Sequence, residues 1–125
     1  MDEEFVNEAV AAMHTTPVVA TGAFNIGALV AALRRCDLLI TNDSGPMHVA
    51  ISQNVPVVAL YGPSLVKLYG PYTKNAIVVT AVPPCMGCAG GMKHKCSDMQ
   101  CMTRLTVEQV IEAADKMLSS RGEGE

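Results

Sequence analysis

Tryptophan is absent from this chain of 125 residues, and aromatic side chains make up only 4% of it. So few rings cannot build the stacking platforms that hold single-stranded nucleic acids. Basic residues are also few: nine Lys and Arg stand against twelve Asp and Glu, which gives a net charge of −3. Because a nucleic-acid interface needs a clustered basic surface to neutralise phosphates, we expect no nucleic acid among the partners.

Long apolar runs are lacking as well. No stretch approaches the roughly 18 apolar residues that a membrane-spanning helix needs. The chain begins Met1-Asp2-Glu3-Glu4, which is acidic where a secretory signal peptide is basic. These absences favour a cytoplasmic protein.

The residues that are present suit a folded domain. Half of them are hydrophobic, 17% are charged, and the mean hydropathy is +0.27. This apolar content can offset the entropy lost on folding, so a disordered chain is excluded. A mass of 13.2 kDa is that of one domain, which we expect to cover residues 1–125, with residues 119–125 as a frayed polar tail.

Helical and strand patterns alternate along the chain. Asp2 is a candidate N-cap for the first helix, and Thr106 with Gln109 forms a candidate capping box for the last. Buried strands alternating with helices predict an α/β fold, a Rossmann-like parallel sheet with helices on both faces. Because such folds usually begin with a strand, we expect a preceding strand outside this chain. Helices are predicted at 3–14, 26–35, 45–54, 64–69 and 107–118, strands at 17–22, 37–42, 57–61 and 76–80, and a loop at 83–103.

The segment TNDSGPMHVA at residues 41–50 places a carboxylate and small residues between a buried strand and a helix. Open α/β sheets bind ligands beyond the carboxyl ends of their strands, and the first turn of a helix attracts phosphate. Gly45 would let a phosphate approach the backbone, and Ser44 would add a hydroxyl donor. Asp43 suits a sugar hydroxyl beside that phosphate, and His48 lies one turn further on. The alternative is structural: Asp43 or Ser44 only caps the helix, and His48 is satisfied by a backbone carbonyl.

Two motifs in this region resemble glycosyltransferase family 9, the ADP-heptose:lipopolysaccharide heptosyltransferases. They are CDLLITNDSGPMHVA at residues 36–50 and VPVVALYGPS at residues 55–64. The family pattern has a strand ending in Asn-Asp-Ser/Thr-Gly, a His three residues after the Gly, and then Pro-Val-Val-Ala-Leu-Phe-Gly-Pro-Thr. This chain departs from it with Tyr61 in place of Phe and Ser64 in place of Thr. The similarity extends from about residue 3 to residue 118.

The resemblance implies a GT-B architecture, of which this chain is the C-terminal half that binds the nucleotide-sugar donor. The family's acceptor-binding half, with its proposed catalytic base, would then lie outside this chain, so we expect no catalytic residue here and no activity of the chain alone. ADP-heptose would be the donor, the lipopolysaccharide inner core the acceptor, and no cofactor would be required. The enzyme would be at most peripheral to the inner membrane. The implied donor-binding residues are Asn42, Asp43, Ser44, Gly45, Met47 and His48.

Four of the five cysteines form a cluster within 17 residues. They could hold one Zn²⁺ as thiolates, with His94 as a substitute for Cys96, or they could form disulfides or remain thiols in a compact loop. Cys36, by contrast, is expected to be a small buried hydrophobic residue. The candidate metal ligands are Cys85, Cys88, Cys96 and Cys101.

Two other functions remain open at this stage. A sugar-nucleotide epimerase would share the fold, but such enzymes have further Gly and Glu residues where this chain has Pro46-Met47-His48. A non-enzymatic interaction module would use the Cys-rich loop, bound to zinc, as its functional part. Bound metal without affinity for nucleotides would favour that module.

Overall fold

A computed structural model of the chain describes residues 2–81 and 99–120. Three strands and six helices lie within these residues. In chain order they are α1 (Asp2–Ala12), α2 (Ile26–Leu33), β1 (Leu39–Asn42), α3 (Gly45–Ser52), β2 (Val57–Tyr61), α4 (Val66–Tyr69), β3 (Ala76–Thr80), α5 (Gln100–Thr103) and α6 (Val107–Ser119).

The three strands form a parallel sheet in the order β1-β2-β3, in which Val58 of β2 is paired with Ile40 of β1 and Ile77 of β3. Alternate residues of the central strand point to opposite faces, as the pleat requires. Val57 belongs to a core cluster with Leu33 of α2 and Met47 of α3, and Val58 belongs to a second cluster with α6. The prediction of a parallel sheet with helices on both faces is confirmed.

Capping residues fix where two of the helices begin. The Asn25 side chain accepts a hydrogen bond of 2.9 Å from the N–H of Ala28, which starts α2. At the start of α6, Thr106 and Gln109 exchange both bonds of the predicted capping box. The first helix begins at Asp2 itself, one residue before the predicted start.

The predicted strand at 17–22 is wrong. Val18 is 96% exposed and Val19 is 54% exposed, and the segment pairs with no strand of the described residues. An apolar run becomes a strand only where a neighbouring strand satisfies its backbone groups, and in the described part of the chain no strand does so here.

Three smaller differences concern the predicted loop at 83–103, the C-terminal tail and the burial of Cys36. The predicted loop at 83–103 contains α5 at its end, while residues 82–98 lie outside the described residues. Ser119 is the last residue of α6, and the rest of the predicted tail from residue 121 also lies outside. Cys36 is exposed instead of buried, with its thiol 3.5 Å from the Ala32 carbonyl.

None of the described helices is long and apolar enough to cross a membrane.

Candidate functional site

A cavity of about 210 Å³ opens at the carboxyl ends of β1 and β2. Because the two strands are parallel, Asp43 and Gly62, which follow them directly, lie at the same edge of the sheet. This is the place where open α/β sheets bind their ligands. We call it the edge cavity, and its lining residues are Asn42, Asp43, Leu60, Gly62, Pro63, Ser64, Met99 and Met102.

Asp43 supplies a carboxylate to the edge cavity. The residue is half-buried, and its side chain makes no hydrogen bond to another residue in the described part of the chain. Its lone pairs are therefore open to a donor, and the prediction that this donor is a sugar hydroxyl stays a prediction. Asn42, whose side chain is exposed beside it, adds both a donor and an acceptor.

The start of α3 has no side-chain cap. Ser44 occupies the N-cap position, but its hydroxyl makes no capping hydrogen bond and lies 3.2 Å from the hydroxyl of Thr41. The interpretation of Ser44 as a helix-capping side chain is therefore wrong. The positive end of this helix faces the surface without the compensation that Asn25 and Thr106 give to α2 and α6.

The other predicted donor-binding residues lie along the first turn of α3. Gly45 is exposed, and a Cβ added to it would meet nothing within 4 Å, so open space borders its backbone. His48, three residues after Gly45, is also exposed. Met47 is completely buried beneath the turn, so neither its side chain nor its backbone lies at the surface, and in this structure it can only support the site from below.

Tyr61 supports this region from below. Its hydroxyl donates a hydrogen bond of 2.6 Å to the carbonyl of Tyr69 at the end of α4. The same hydroxyl lies 3.6 Å from the sulfur of Met47. Burial raises the pKa of Tyr61 to about 12, with smaller contributions from the charge of Asp43 and from Tyr72. This hydrogen bond joins the last residue of β2 to the end of α4, across the loop that contributes Gly62, Pro63 and Ser64 to the cavity.

Sequence reasoning missed the wall of the edge cavity that α5 provides. Met102 packs directly over Gly62, where an added Cβ would collide with its sulfur and lie 2.9 Å from its Cγ. Met99 precedes the helix and lies one helical turn from Met102. The spacing of the two methionines was the available signal, but nothing in the sequence indicates that their turn reaches the end of β2.

The zinc hypothesis falls largely outside the described residues. Cys85, Cys88, His94 and Cys96 are not among them, and only Cys101 is, as a buried residue of α5. Within residues 2–81 and 99–120, no group of three or more His, Cys, Asp or Glu side chains could hold a metal ion. The choice between zinc, disulfides and thiols stays a prediction.

Known proteins resemble this chain along most of its length. Lipooligosaccharide heptosyltransferase 2 of Campylobacter jejuni is 40% identical over 89 residues, which are 68% of this chain and 27% of that protein. Lipopolysaccharide heptosyltransferase 2 of Salmonella typhimurium is 30% identical over 130 residues, which are 97% of this chain and 36% of that protein. The chain thus spans about a third of the length of the curated relatives it matches.

Solved structures agree with these relatives. A glycosyl transferase of family 9 from Veillonella parvula superposes with a TM-score of 0.83 at 48% identity, over 96% of this chain and 34% of that one. The ADP-heptose lps heptosyltransferase II of E. coli gives a TM-score of 0.75 at 28% identity, over 97% of this chain and 34% of that one. The model of the family described as glycosyltransferase family 9 (heptosyltransferase) matches residues 1–100. With four fifths of its length matched by that model, this chain belongs to glycosyltransferase family 9.

Proposed function

We propose that this chain forms the donor-binding part of a heptosyltransferase, which transfers a heptose from ADP-heptose to the lipopolysaccharide inner core. The observation that carries the proposal is the position of Asp43. Its carboxylate lines the edge cavity without a hydrogen-bond partner among the described residues, directly beside the uncapped start of α3. A sugar diphosphate has the complementary groups: hydroxyls that donate to a carboxylate and a diphosphate that a helix N-terminus attracts.

Each residue of the site has a role that follows from its chemistry. Asp43 and Asn42 accept hydrogen bonds from sugar hydroxyls at the edge cavity. Ser44 and the backbone of Gly45 contact the diphosphate, and His48 donates to it from the next turn. As the bond from the sugar to the diphosphate breaks, negative charge grows on the leaving oxygen, and donors fixed at the helix start stabilise it without rearrangement.

The rest of the reaction requires groups beyond this chain. In the two-domain GT-B arrangement, the acceptor and the base that deprotonates its hydroxyl belong to the other domain, across the cleft from Asp43. ADP-heptose is a substrate, and the transfer needs no resident cofactor. The acceptor is a lipid-linked sugar, so we place the enzyme in the cytoplasm, at most peripheral to the inner membrane.

Calorimetric titration of the chain with ADP-heptose tests the proposal. Asp43→Asn keeps the shape of the side chain and removes its charge, and a hydrogen bond to a charged group contributes about 1.5–3 kcal/mol. We therefore expect this variant to bind ADP-heptose roughly ten- to a hundredfold more weakly than the original chain. The melting temperature should change little, because the carboxylate stabilises no other described residue through a hydrogen bond.

Asp115→Asn is the matched control. Asp115 is an exposed carboxylate on α6, the helix that packs on the opposite face of the sheet from α3. The substitution Asp115→Asn removes the same charge as Asp43→Asn and should leave the affinity for ADP-heptose unchanged. Equal effects of the two substitutions, or a loss of affinity at Asp43 that follows a loss of stability, would contradict a direct contact between Asp43 and the donor.

A further inference from the structure

We propose that Met99 and Met102 determine which donor sugar the edge cavity accepts, by packing against the apolar face of the sugar ring. This inference rests on the proposed function and adds to it a surface that contacts the sugar. We call this surface, formed by Met99 and Met102, the methionine wall. At about 210 Å³, the cavity is smaller than the pockets that enclose whole drug-sized ligands, so it suits one ring of a nucleotide sugar.

The lining of the edge cavity matches a sugar better than a nucleobase. A pyranose ring carries hydroxyls around its edge and C–H groups on its faces. The cavity supplies a carboxylate, an amide and a hydroxyl from Asp43, Asn42 and Ser64. Several separate polar partners suit a polyol with several hydroxyls, and the thioethers of Met99 and Met102 offer an apolar surface to the ring face.

Met102 of the methionine wall packs against a glycine that directly follows β2. Gly62 has no side chain, and Met102 occupies the space where one would be. This contact brings α5 against the end of β2, although the two lie about forty residues apart in the sequence. The wall is therefore a feature of the folded site, formed by a contact between residues distant in the sequence.

Met99 has a conformation that favours other residue types. Its backbone is left-handed, with φ of 45° and ψ of 44°, where Gly or Asn is the usual residue. Its side chain is 51% exposed at the cavity, although it is large and apolar. A methionine at this position leaves a flexible, polarisable surface facing the cavity, which can adapt to the irregular face of a sugar ring.

Two probes, ADP and ADP-heptose, separate contacts with the sugar from contacts with the nucleotide. Met99→Gln has a similar length but replaces the thioether with an amide. We expect it to weaken the binding of ADP-heptose by about three- to tenfold, the equivalent of a partly buried side chain, and to leave the binding of ADP unchanged. Met99→Leu, which restores an apolar surface, should recover most of the affinity for ADP-heptose.

Met13→Gln is the matched control, because Met13 is also 51% exposed but lies after α1 and does not line the edge cavity. It should change neither affinity. If Met99→Gln weakens both probes equally, the wall contacts the nucleotide and the inference is wrong. It is also wrong if Asp43→Asn weakens ADP-heptose binding while Met99→Gln does not. If the original chain binds neither probe, the proposed function fails and the inference fails with it.

Discussion

At the scale of single residues, Tyr61 distinguishes this chain from the family pattern, which has Phe at that position. The added hydroxyl is inside the protein, and its 2.6 Å bond to the Tyr69 carbonyl satisfies both groups. A buried hydroxyl without such a partner would be destabilising. Tyr61 therefore keeps the packing of an aromatic ring and adds a connection between β2 and the end of α4.

The raised pKa of Tyr61 predicts a specific dependence of stability on pH. The folded protein holds the phenol proton up to a pH of about 12, whereas the unfolded chain releases it near the ordinary pKa of about 10. The folded state thus binds more protons between these two values, and the free energy of unfolding must fall as the pH rises through that window. Below pH 10 this contribution is fully present.

Urea unfolding of Tyr61→Phe at several pH values between 9 and 12 measures this effect. At pH 9 the variant should be less stable by about 1 kcal/mol, since one buried hydrogen bond is lost. Towards pH 12 the original chain should lose up to about 2–3 kcal/mol that the variant does not lose, so the difference should vanish and then change sign. Tyr72→Phe is the control: it also removes a hydroxyl that donates to a carbonyl, that of Leu68, but Tyr72 is 75% exposed. Because Tyr72 is the smallest contribution to the raised pKa of Tyr61, this variant should keep most of the pH dependence of the original chain. Stability curves of Tyr61→Phe and the original chain that stay parallel would contradict the raised pKa.

At the scale of elements, two helix starts can be compared directly. Both α2 and α3 have a glycine within the first two residues, Gly27 and Gly45. Asn25 caps α2, whereas α3 lacks a side-chain cap and borders the edge cavity. Gly27 is therefore interpreted as an ordinary helix residue, whereas Gly45 is interpreted as a residue that leaves room for a ligand.

Gly45→Ala should therefore separate binding from folding. An added Cβ meets nothing within 4 Å, and alanine favours the helix, so the free energy of unfolding should stay the same or rise by up to about 1 kcal/mol. The same methyl group occupies the space through which a diphosphate would reach the backbone, so the affinity for ADP should fall about tenfold or more.

Gly27→Ala provides the comparison, since its Cβ would lie at an ordinary 3.5 Å from the Asn25 side chain. It should leave the affinity for ADP unchanged. Unaltered binding of ADP by Gly45→Ala would mean that the diphosphate does not approach the start of α3. Calorimetry for affinity and urea unfolding for stability give both quantities for each variant.

The elements also show what the sequence could and could not predict. The bounds of β2 and β3 and the capping box at Thr106 follow from patterns within a few residues, and all three are confirmed. The segment at 17–22 has a strand-like pattern but no paired neighbour in the described part of the chain, because pairing depends on residues distant in the sequence. The same reason explains the edge cavity: Asp43 was predicted from its own motif, whereas the contact between Gly62 and Met102 exists only once the chain is folded.

At the scale of the whole molecule, the sheet separates two apolar cores. One contains Met47 and Tyr61 and lies beneath the start of α3, next to the candidate site. The other contains Val58 and Met117 and lies under α6, on the opposite face. Both cores stabilise the same sheet, but only the first one supports the surface to which we assign the donor. Loss of packing in either core should therefore lower the stability of the protein. Only loss of packing in the core that contains Met47 and Tyr61 should also weaken donor binding.

Met47→Ala and Met117→Ala test this separation with the same chemical change. Met47 is 0% exposed and Met117 is 7% exposed, so each substitution should lower the free energy of unfolding by about 2–5 kcal/mol. Met47→Ala also removes the side chain on which the first turn of α3 rests, so at a temperature where both variants are folded it alone should weaken ADP binding. The affinity of Met117→Ala should equal that of the original chain. If both variants lose affinity to the same degree, the site depends on the stability of the whole sheet. The interpretation that Met47 supports the start of α3 locally would then be wrong.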